Sequence, residues 1–270
     1  MQKSQEKRHS EHGTRVVGVI PARMESRRLP GKPLRSIAGR AMIDWVYFGA
    51  RRAASLDHLL VATDSSEILD HCTRNAIPAL RTSSAHRSGT ERLVEVMSRD
   101  PAAIYVNIQG DEPMVTAAHI ELLLRPFGTK TIPAAEPWVS TLKVAMTSTD
   151  AEDPSNVKVV TDSQGRALYF SRARVPYHRG GGKSSYYKHL GLYAYSAAEL
   201  EAFGRLPVSC LEQAEQLEQL RFLENRIPII VVETDVDTIG VDTEEDLKRV
   251  AERLGSWGVW RDEGHDKRTD

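Results

Sequence analysis

The segment Pro21 to Pro33 places four basic side chains, Arg23, Arg27, Arg28 and Lys32, within ten positions, and its prolines and glycine shape it as a loop. Fixed positive charges of this kind stabilise the negative charge that builds on a departing pyrophosphate, so the loop suits a triphosphate. It is not the Walker type of phosphate loop, which needs Ser or Thr after its lysine, because Pro33 follows Lys32. A second segment, Asn107-Ile108-Gln109-Gly110-Asp111-Glu112-Pro113, carries two adjacent carboxylates. Magnesium prefers one or two carboxylates together with phosphate oxygens, and Asp111 is placed to supply one. A third segment, Ile239 to Leu247, holds Asp242, which could meet Asp111 as a second metal ligand. Each has a plainer reading: a solvated basic loop, an acid capping the next helix, and a helix N-cap at Asp242.

The elements around these segments decide between the readings. Val16 to Ile20 is a short β-branched run that reads as a buried parallel strand, and the basic loop follows it directly. Ala41 to Ala54 has apolar residues at helical spacing. Leu59 to Ala62 predicts a second strand, Ser66 an N-cap for a helix to about Asn75, and Pro78 to Arg81 a third strand. A helix over Thr90 to Ser98, a strand over Ile104 to Ile108, and a helix capped by Thr116 and carrying Ile120 to Leu124 follow. Alternating strands and helices predict an α/β fold: a doubly wound, mostly parallel sheet with helices on both faces. Ligands of such sheets bind at the carboxyl ends of the strands, which is where the first two loops lie.

After about residue 130 the rhythm changes. Val139 to Val144 is a predicted strand, and Asp162-Ser163-Gln164-Gly165 a hairpin turn between strands Val157 to Val160 and Ala167 to Phe170. Leu190 to Tyr195 is another strand, Leu211 to Glu224 a helix, Ile227 to Val232 a strand, and Thr243 to Leu254 a helix whose Thr243 and Asp246 resemble a capping box. The expected organisation is a single α/β domain over residues 16–255 with an inserted, more antiparallel section at about 135–225. The polar segments 1–15 and 256–270 read as disordered tails, the first without the apolar stretch of a secretory signal.

Composition narrows the function classes. A formal net charge of -1 gives no general attraction for nucleic acid or an acidic membrane, so anion binding must come from a local cluster. Two distant cysteines, Cys72 and Cys210, make neither a disulfide framework nor a zinc site, which suits a reducing, cytoplasmic setting. No apolar run approaches the roughly 20 residues that cross a bilayer. Trp45, Tyr47 and Phe48 read as packing residues, Cys72 as a small buried filler, and His71 and His119 have no role in view.

Together the segments resemble the CMP-Kdo synthetase (3-deoxy-manno-octulosonate cytidylyltransferase) family, from about Val16 to Leu254. The likeness is carried by Ile20-Pro21-Ala22-Arg23, Arg28-Leu29-Pro30-Gly31-Lys32-Pro33-Leu34, Val61-Ala62-Thr63-Asp64, His86 with Ser88-Gly89-Thr90-Glu91-Arg92, and Gln109-Gly110-Asp111-Glu112-Pro113-Met114. It continues in Ala167-Leu168-Tyr169-Phe170-Ser171-Arg172, His189-Leu190-Gly191, Leu217-Glu218-Gln219-Leu220-Arg221 and Gly240-Val241-Asp242-Thr243. The resemblance implies the fold of the nucleotide-diphospho-sugar transferases. It also implies transfer of CMP from CTP to the anomeric hydroxyl of a 2-keto sugar acid such as Kdo, with release of pyrophosphate, for lipopolysaccharide or related glycan synthesis.

By the same likeness Arg23 and Lys32, catalytic together with Asp111, would hold the triphosphate with Arg28 assisting. Ala22 would help to bind the nucleotide, and Ser88, Gly89 and Arg92 would lie against the cytidine. Gln109 and Asp111 would belong to the catalytic loop, and Asp111 with Asp242 would bind Mg2+. Arg172, His189, Tyr193, Glu218 and Gln219 would form the sugar-acid pocket of a homodimeric enzyme. Chemistry fits this, since in-line attack on the α-phosphorus needs positioning and charge neutralisation rather than a covalent intermediate. The sugar acid's carboxylate needs a cation or donors, for which Arg172 and His189 are candidates. Met24-Glu25-Ser26 and the glycine-rich Arg179 to Ser185 depart from the family pattern. They leave amino-Kdo, another nonulosonic acid or a phosphonate open as acceptor, beside a non-catalytic nucleotide-binding regulator.

Overall fold

The first strand, β1 (Val16–Ala22), has every residue but Pro21 buried, because its β-branched side chains must be covered on both faces of a sheet. The computed structural model describes residues 14–26, 28–128, 139–180 and 185–256. In chain order the strands are β1, β2 (Ser36–Ile37), β3 (Arg40–Ala41), β4 (His58–Thr63), β5 (Ala79–Arg81), β6 (Ile104–Asn107), β7 (Val139–Met146), β8 (Lys158–Thr161), β9 (Ala167–Ser171), β10 (Tyr186–Ser196) and β11 (Ile229–Thr234). The helices are α1 (Met42–Ala50), α2 (Ser66–Arg74), α3 (Gly89–Arg99), α4 (Ala117–Leu124), α5 (Ala197–Arg205), α6 (Cys210–Glu215), α7 (Leu220–Glu224) and α8 (Glu244–Ser256).

The main sheet runs β11-β7-β10-β6-β1-β4-β5, with the β8–β9 hairpin attached through β10. β1 pairs in parallel with both β4 and β6, and β7 with β11. β10 alone on this path runs antiparallel to both of its neighbours. The mostly parallel α/β fold read from the sequence is therefore the observed one, and the strands after residue 139 extend the same sheet. The chain leaves β1 toward β4 and β5, then returns to the other side of β1 as β6. That reversal opens a crevice at the carboxyl ends of β1 and β6.

One core, with Ile20, Val61, Ile108 and Leu142, lies under α1, α2 and α4. The other, with Val17, Val19, Tyr105 and Tyr195, lies under α3, α5 and α7. A third and smaller core joins Leu29, Met42, Trp45, Met114, Val241 and Val250.

The largest departure from the sequence reading is the predicted helix Leu211 to Glu224. It is two short helices, α6 and α7, because Gln216 turns to φ 55, ψ 49 and ends the first. Glu218 and Gln219 thus sit in a break and not on a solvated helix face. β7 and β10 extend beyond their predicted ends, to Met146 and back to Tyr186. The cap of α2 is Ser65 rather than Ser66, since the Ser65 hydroxyl accepts the Ile68 N–H at 3.2 Å. Thr243 and Asp246 do form reciprocal cap bonds at the start of α8. The two unassigned histidines hold elements together: His71 Nε2 meets Asp44 at 2.7 Å, and His119 meets the Thr116 N–H and the Val236 carbonyl. The predicted tails 1–15 and 256–270 lie outside the described residues except at their inner ends, where Arg15 pairs with Asp100 at 2.5 Å and Ser256 ends α8. Part of the glycine-rich segment, 181–184, lies outside them too.

Gly49 sets how closely α1 approaches the chain after β6. A Cβ there would lie 2.1 Å from the Val115 carbonyl oxygen, which is backbone and cannot swing aside. Gly49→Ala should cost roughly 3 kcal/mol in urea unfolding by forcing these segments apart. Gly204→Ala, whose Cβ meets Val94 at 3.5 Å, should stay within about 1 kcal/mol of the parent protein. Equal effects of the two substitutions would contradict the close approach.

Candidate active site

The basic loop folds back on itself just after β1. The Ser26 hydroxyl accepts the Leu29 N–H at 3.3 Å, and the Lys32 N–H reaches the Leu29 carbonyl at 3.1 Å. Leu29 is 1% exposed in the third core, so the loop is anchored by an apolar side chain between its charged ones. The turn Lys32–Leu34, with Pro33 buried beneath it, then sends Lys32 inward. Its Nζ donates to Asp111 Oδ2 at 2.6 Å and to Asp242 Oδ1 at 3.0 Å. Arg28 Nη2 meets the other Asp242 oxygen at 2.9 Å. Burial by itself would lower the Lys32 pKa, but the two carboxylates outweigh it and hold the ammonium above its ordinary value. Lys32 is therefore a fixed positive charge. Arg23 is exposed on the same loop.

Asp111 arrives from the carboxyl end of β6. The Ile108 N–H continues the β1 pairing by donating to Val19 O at 2.9 Å, and Gly110 then passes close to β1. A Cβ on Gly110 would stand 2.8 Å from the Pro21 carbonyl oxygen, so only glycine lets the two loops touch here. Asp242 arrives from the segment between β11 and α8. Its neighbour Val241, fully buried in the third core, donates its N–H to the Asp111 carbonyl at 2.9 Å. Two loops far apart in sequence are thus stitched by one backbone bond beside their two carboxylates.

Arg28, Asp111 and Asp242 line one end of a cleft that Lys32 reaches only through its bonds to the two carboxylates and that Arg23 does not line; its volume is about 1320 Å³. That exceeds the roughly 300–1000 Å³ of a site for one small ligand and leaves room for two substrates together. Gly89 and Thr90, at the start of α3, line the cleft with Gln109. Ser88 is the cap of α3, its hydroxyl accepting the Glu91 N–H at 3.2 Å. The helix thereby turns its N-terminal backbone donors toward the cleft. Arg92 is committed elsewhere: it is buried, pairs with Asp64 at 3.2 Å and also bonds Thr82. Ala22, Ser88 and Arg92 are not among the residues that line the cleft.

The opposite wall comes from β10. Because Tyr193 pairs with Asn107, the residues before Tyr193 run past the end of β6 and over the crevice. A register shift between Leu190 and Tyr193 breaks the strict alternation expected there, yet His189, Gly191 and Tyr193 all line the cleft. His189 Nε2 meets the Thr141 hydroxyl at 2.9 Å, and the ring packs edge-on to Phe170. Burial, helped by the neighbouring Lys188 charge, pushes its pKa down to about 3. His189 is thus neutral and offers hydrogen bonds, not a cation. Burial raises Tyr193 well above its ordinary value, so it keeps its proton.

Glu218 and Gln219 reach the same wall from the break between α6 and α7. Glu218 accepts the Thr90 hydroxyl at 2.9 Å, and burial raises its pKa. The break is held by Arg221, which grips both Glu212 oxygens across it in a buried pair. Arg172 is not brought to the cleft. Its guanidinium donates to the Glu215 and Pro154 carbonyls, at 2.8 and 3.1 Å.

Two wall residues were given no role in the sequence reading, although Glu112 was seen there as one of two adjacent carboxylates. Glu112 is enclosed with one oxygen unpartnered, and burial, reinforced by Asp111, pushes its pKa up to about 7. Lys188 lines the cleft with its Nζ on Asp237 Oδ1 at 2.9 Å and on the Thr238 carbonyl at 2.7 Å.

Among the described residues no group of three or more His, Cys, Asp or Glu side chains is placed to hold a metal. That argues against a closed cage of protein ligands. Asp111 and Asp242, however, already share one ammonium between them. They can therefore share a cation, and two carboxylates completed by phosphate oxygens are what magnesium takes.

The cytidylyltransferase family profile matches residues 17–232. The chain is 52% identical over 91% of its length to the 3-deoxy-manno-octulosonate cytidylyltransferase of Koribacter versatilis, of which it covers 93%. It is 50% identical over 88% of its length to the enzyme of the same name from Acidobacterium capsulatum, covering 96% of that protein. It also resembles the solved structure of CMP:2-keto-3-deoxy-manno-octonic acid synthetase complexed with CTP, with a TM-score of 0.84 and 43% identity over 90% of this chain and 99% of that one.

Burial of His189 has a measurable pH signature. Its folded pKa of about 3 lies below the ordinary 6.5, so between those values the unfolded chain takes up a proton that the folded chain refuses. Stability therefore falls as pH drops from 6.5 toward 3, by on the order of a few kcal/mol. Glu112 acts in the opposite sense: with a folded pKa of about 7 against 4.5, its contribution is full below 4.5 and is lost as pH rises through 7. Urea unfolding between pH 4 and 8 should show a shallower acid-side loss in His189→Gln than in the parent protein. A loss as steep as the parent's would mean that His189 titrates freely.

Proposed function

The chain belongs to the cytidylyltransferase family, and from that membership we propose that it is a 3-deoxy-manno-octulosonate cytidylyltransferase. It transfers CMP from CTP to the anomeric hydroxyl of Kdo and releases pyrophosphate. The observation that carries this reading is the convergence of Lys32, Arg28, Asp111 and Asp242 at one end of a cleft whose other wall is His189, Tyr193, Glu218 and Gln219.

The residues divide the work by charge. Lys32 and Arg28, with Arg23 on the same loop, offer positive charge to the triphosphate and to the pyrophosphate that leaves. The first turn of α3, at Gly89 and Thr90, with Gln109 facing it, takes the nucleoside end. Ala22, Ser88 and Arg92 support that end from behind. His189, Tyr193, Glu218 and Gln219 orient the sugar acid through hydrogen bonds, so that its anomeric oxygen lies in line with the α-phosphorus. Arg172 reaches this pocket only by leaving its carbonyl partners. Magnesium bound by Asp111, Asp242 and phosphate oxygens would neutralise charge and make the attacking hydroxyl more acidic.

The reading extends to a cytoplasmic homodimer that supplies lipopolysaccharide synthesis. Support for the compartment is that both substrates are soluble and that no described helix is long and apolar enough to cross a membrane. Support for the dimer is the resemblance to a dimeric family, together with an exposed Leu168 on the β8–β9 hairpin.

Pyrophosphate release should require CTP, Kdo and magnesium together, and neither UTP nor ATP should replace CTP. Asp111→Asn should slow turnover about a hundredfold or more, through lost charge stabilisation at the metal. Release at the parent rate from that variant would remove Asp111 from the site. Thermal stabilisation by UTP but not CTP would defeat the choice of nucleotide.

A further inference from the structure

The segment that delivers Asp242 crosses the cleft floor with few tethers. His119 holds the Val236 carbonyl at 3.0 Å, the Asp111 carbonyl accepts Val241 N–H at 2.9 Å, and the Asp246 carboxylate accepts Asp242 N–H at 3.2 Å. Between the first and second of these Lys188 Nζ holds the Asp237 side chain, through Oδ1 at 2.9 Å, and the backbone, through Thr238 O at 2.7 Å. The lysine side of the grip is sheltered, its side chain 18% exposed, while Asp237 is 40% exposed. The groups around it are poorly supplied with other partners. The Thr238 hydroxyl faces the enclosed Glu112 carboxyl, one of whose oxygens is buried without a hydrogen bond. A Cβ on Gly240 would stand 3.1 Å from Glu112, so the segment is already pressed against the loop that carries Asp111.

We propose that Lys188 is a positioning residue of the cation site: its hold on Asp237 and the Thr238 carbonyl sets where Asp242 stands opposite Asp111, and ties that placement to the strand carrying His189. This rests on the reading of Asp111 and Asp242 as a shared cation site. A charge-assisted bond to a carboxylate and a second bond to a carbonyl are stronger than the neutral loop contacts nearby. Without them the span from Val236 to Val241 is free to relax, and Asp242 loses its registration. Partners of this outer kind typically change metal affinity about 10- to 100-fold when removed. Because Lys188 adjoins His189 on β10, the acceptor wall and the cation loop also move as one body.

The test is calorimetric binding of CTP to the full chain, once with Mn2+ as probe and once with EDTA, the readout being the ratio of the two affinities. Lys188→Met and Asp237→Asn should each cut the manganese-dependent gain about tenfold and leave the EDTA affinity unchanged. The double variant should be no worse than either single one, and Lys188→Arg should retain the gain. The two single variants change net charge in opposite directions, so a mere field effect on CTP would move them apart instead of together. Asp111→Asn is the reference for the parent reading and should lose the gain altogether. If Asp111→Asn loses it while Lys188→Met keeps it, the clamp is wrong and the cation site stands. If Asp111→Asn keeps the full gain, the cation site and the clamp fall together. Equal losses with and without manganese in Lys188→Met would also overturn the proposal, since they would report a general distortion of the cleft.

Discussion

Asp111 and Asp242 face each other across one nitrogen atom, that of Lys32. Two carboxylates this close repel, and the repulsion grows as water is excluded. The Lys32 ammonium, only 14% exposed at its side chain, offsets it. The arrangement survives because each of the three contributing loops also plants an apolar residue in the small third core. Leu29 comes from the basic loop, Met114 from the chain just beyond Asp111, and Val241 from the position next to Asp242, and none of them is more than 1% exposed. Burial of such side chains stabilises by roughly 1.5–3 kcal/mol each, which is comparable to the cost of holding partly buried charges together. A polar centre is therefore held open by a hydrophobic one beneath it.

The sheet order explains why the charges meet on one side only. β1 is flanked in parallel by β4 and β6, so the loops after β1 and β6 leave the sheet at the same edge. β10 runs the other way, so it brings its early residues, His189 and Gly191, to that edge while its later ones pair with β6. One reversed strand is what lets a parallel sheet place an approaching wall opposite its own loops. The α6–α7 break then adds Glu218 and Gln219, and the hydrogen bond from Thr90 to Glu218 closes the ring between the two walls.

Much of this was visible in the residues themselves. The apolar run at Val16 and the basic loop after it located the first strand and its carboxyl end, and the motif around Asp111 located the second. What escaped were features that depend on a single dihedral angle or on a partner far along the chain. The period of Leu217, Leu220 and Leu223 is helical, and nothing in it marks Gln216 as left-handed. Ser65 and Ser66 are indistinguishable as caps until one hydroxyl is seen to accept the Ile68 N–H. Arg92 and Arg172 look like ligand-binding cations in one dimension, but Asp64 and the Glu215 carbonyl engage them in three. Lys188 was the reverse: a lysine in an aromatic run, given meaning only by Asp237 and Thr238, about fifty residues later.

The distribution of charge within the cleft has its own consequence. At one end Arg28 and Lys32 are paired with Asp111 and Asp242, while on the opposite wall His189 is held neutral by burial, and Arg172 is engaged with carbonyl groups. The one lysine on the β10 wall is matched by Asp237. The carboxylate pair at the Asp111–Asp242 end is where a cation can be shared, so a polyanion that brings one gains most in the orientation that places its charged tail there. The neutral wall must then recognise its ligand by hydrogen bonds, whose geometry is directional, and in-line transfer depends on that directionality. Burial of His189 is thus more than a packing detail: it removes a competing cation and leaves a fixed hydrogen-bonding ring in its place.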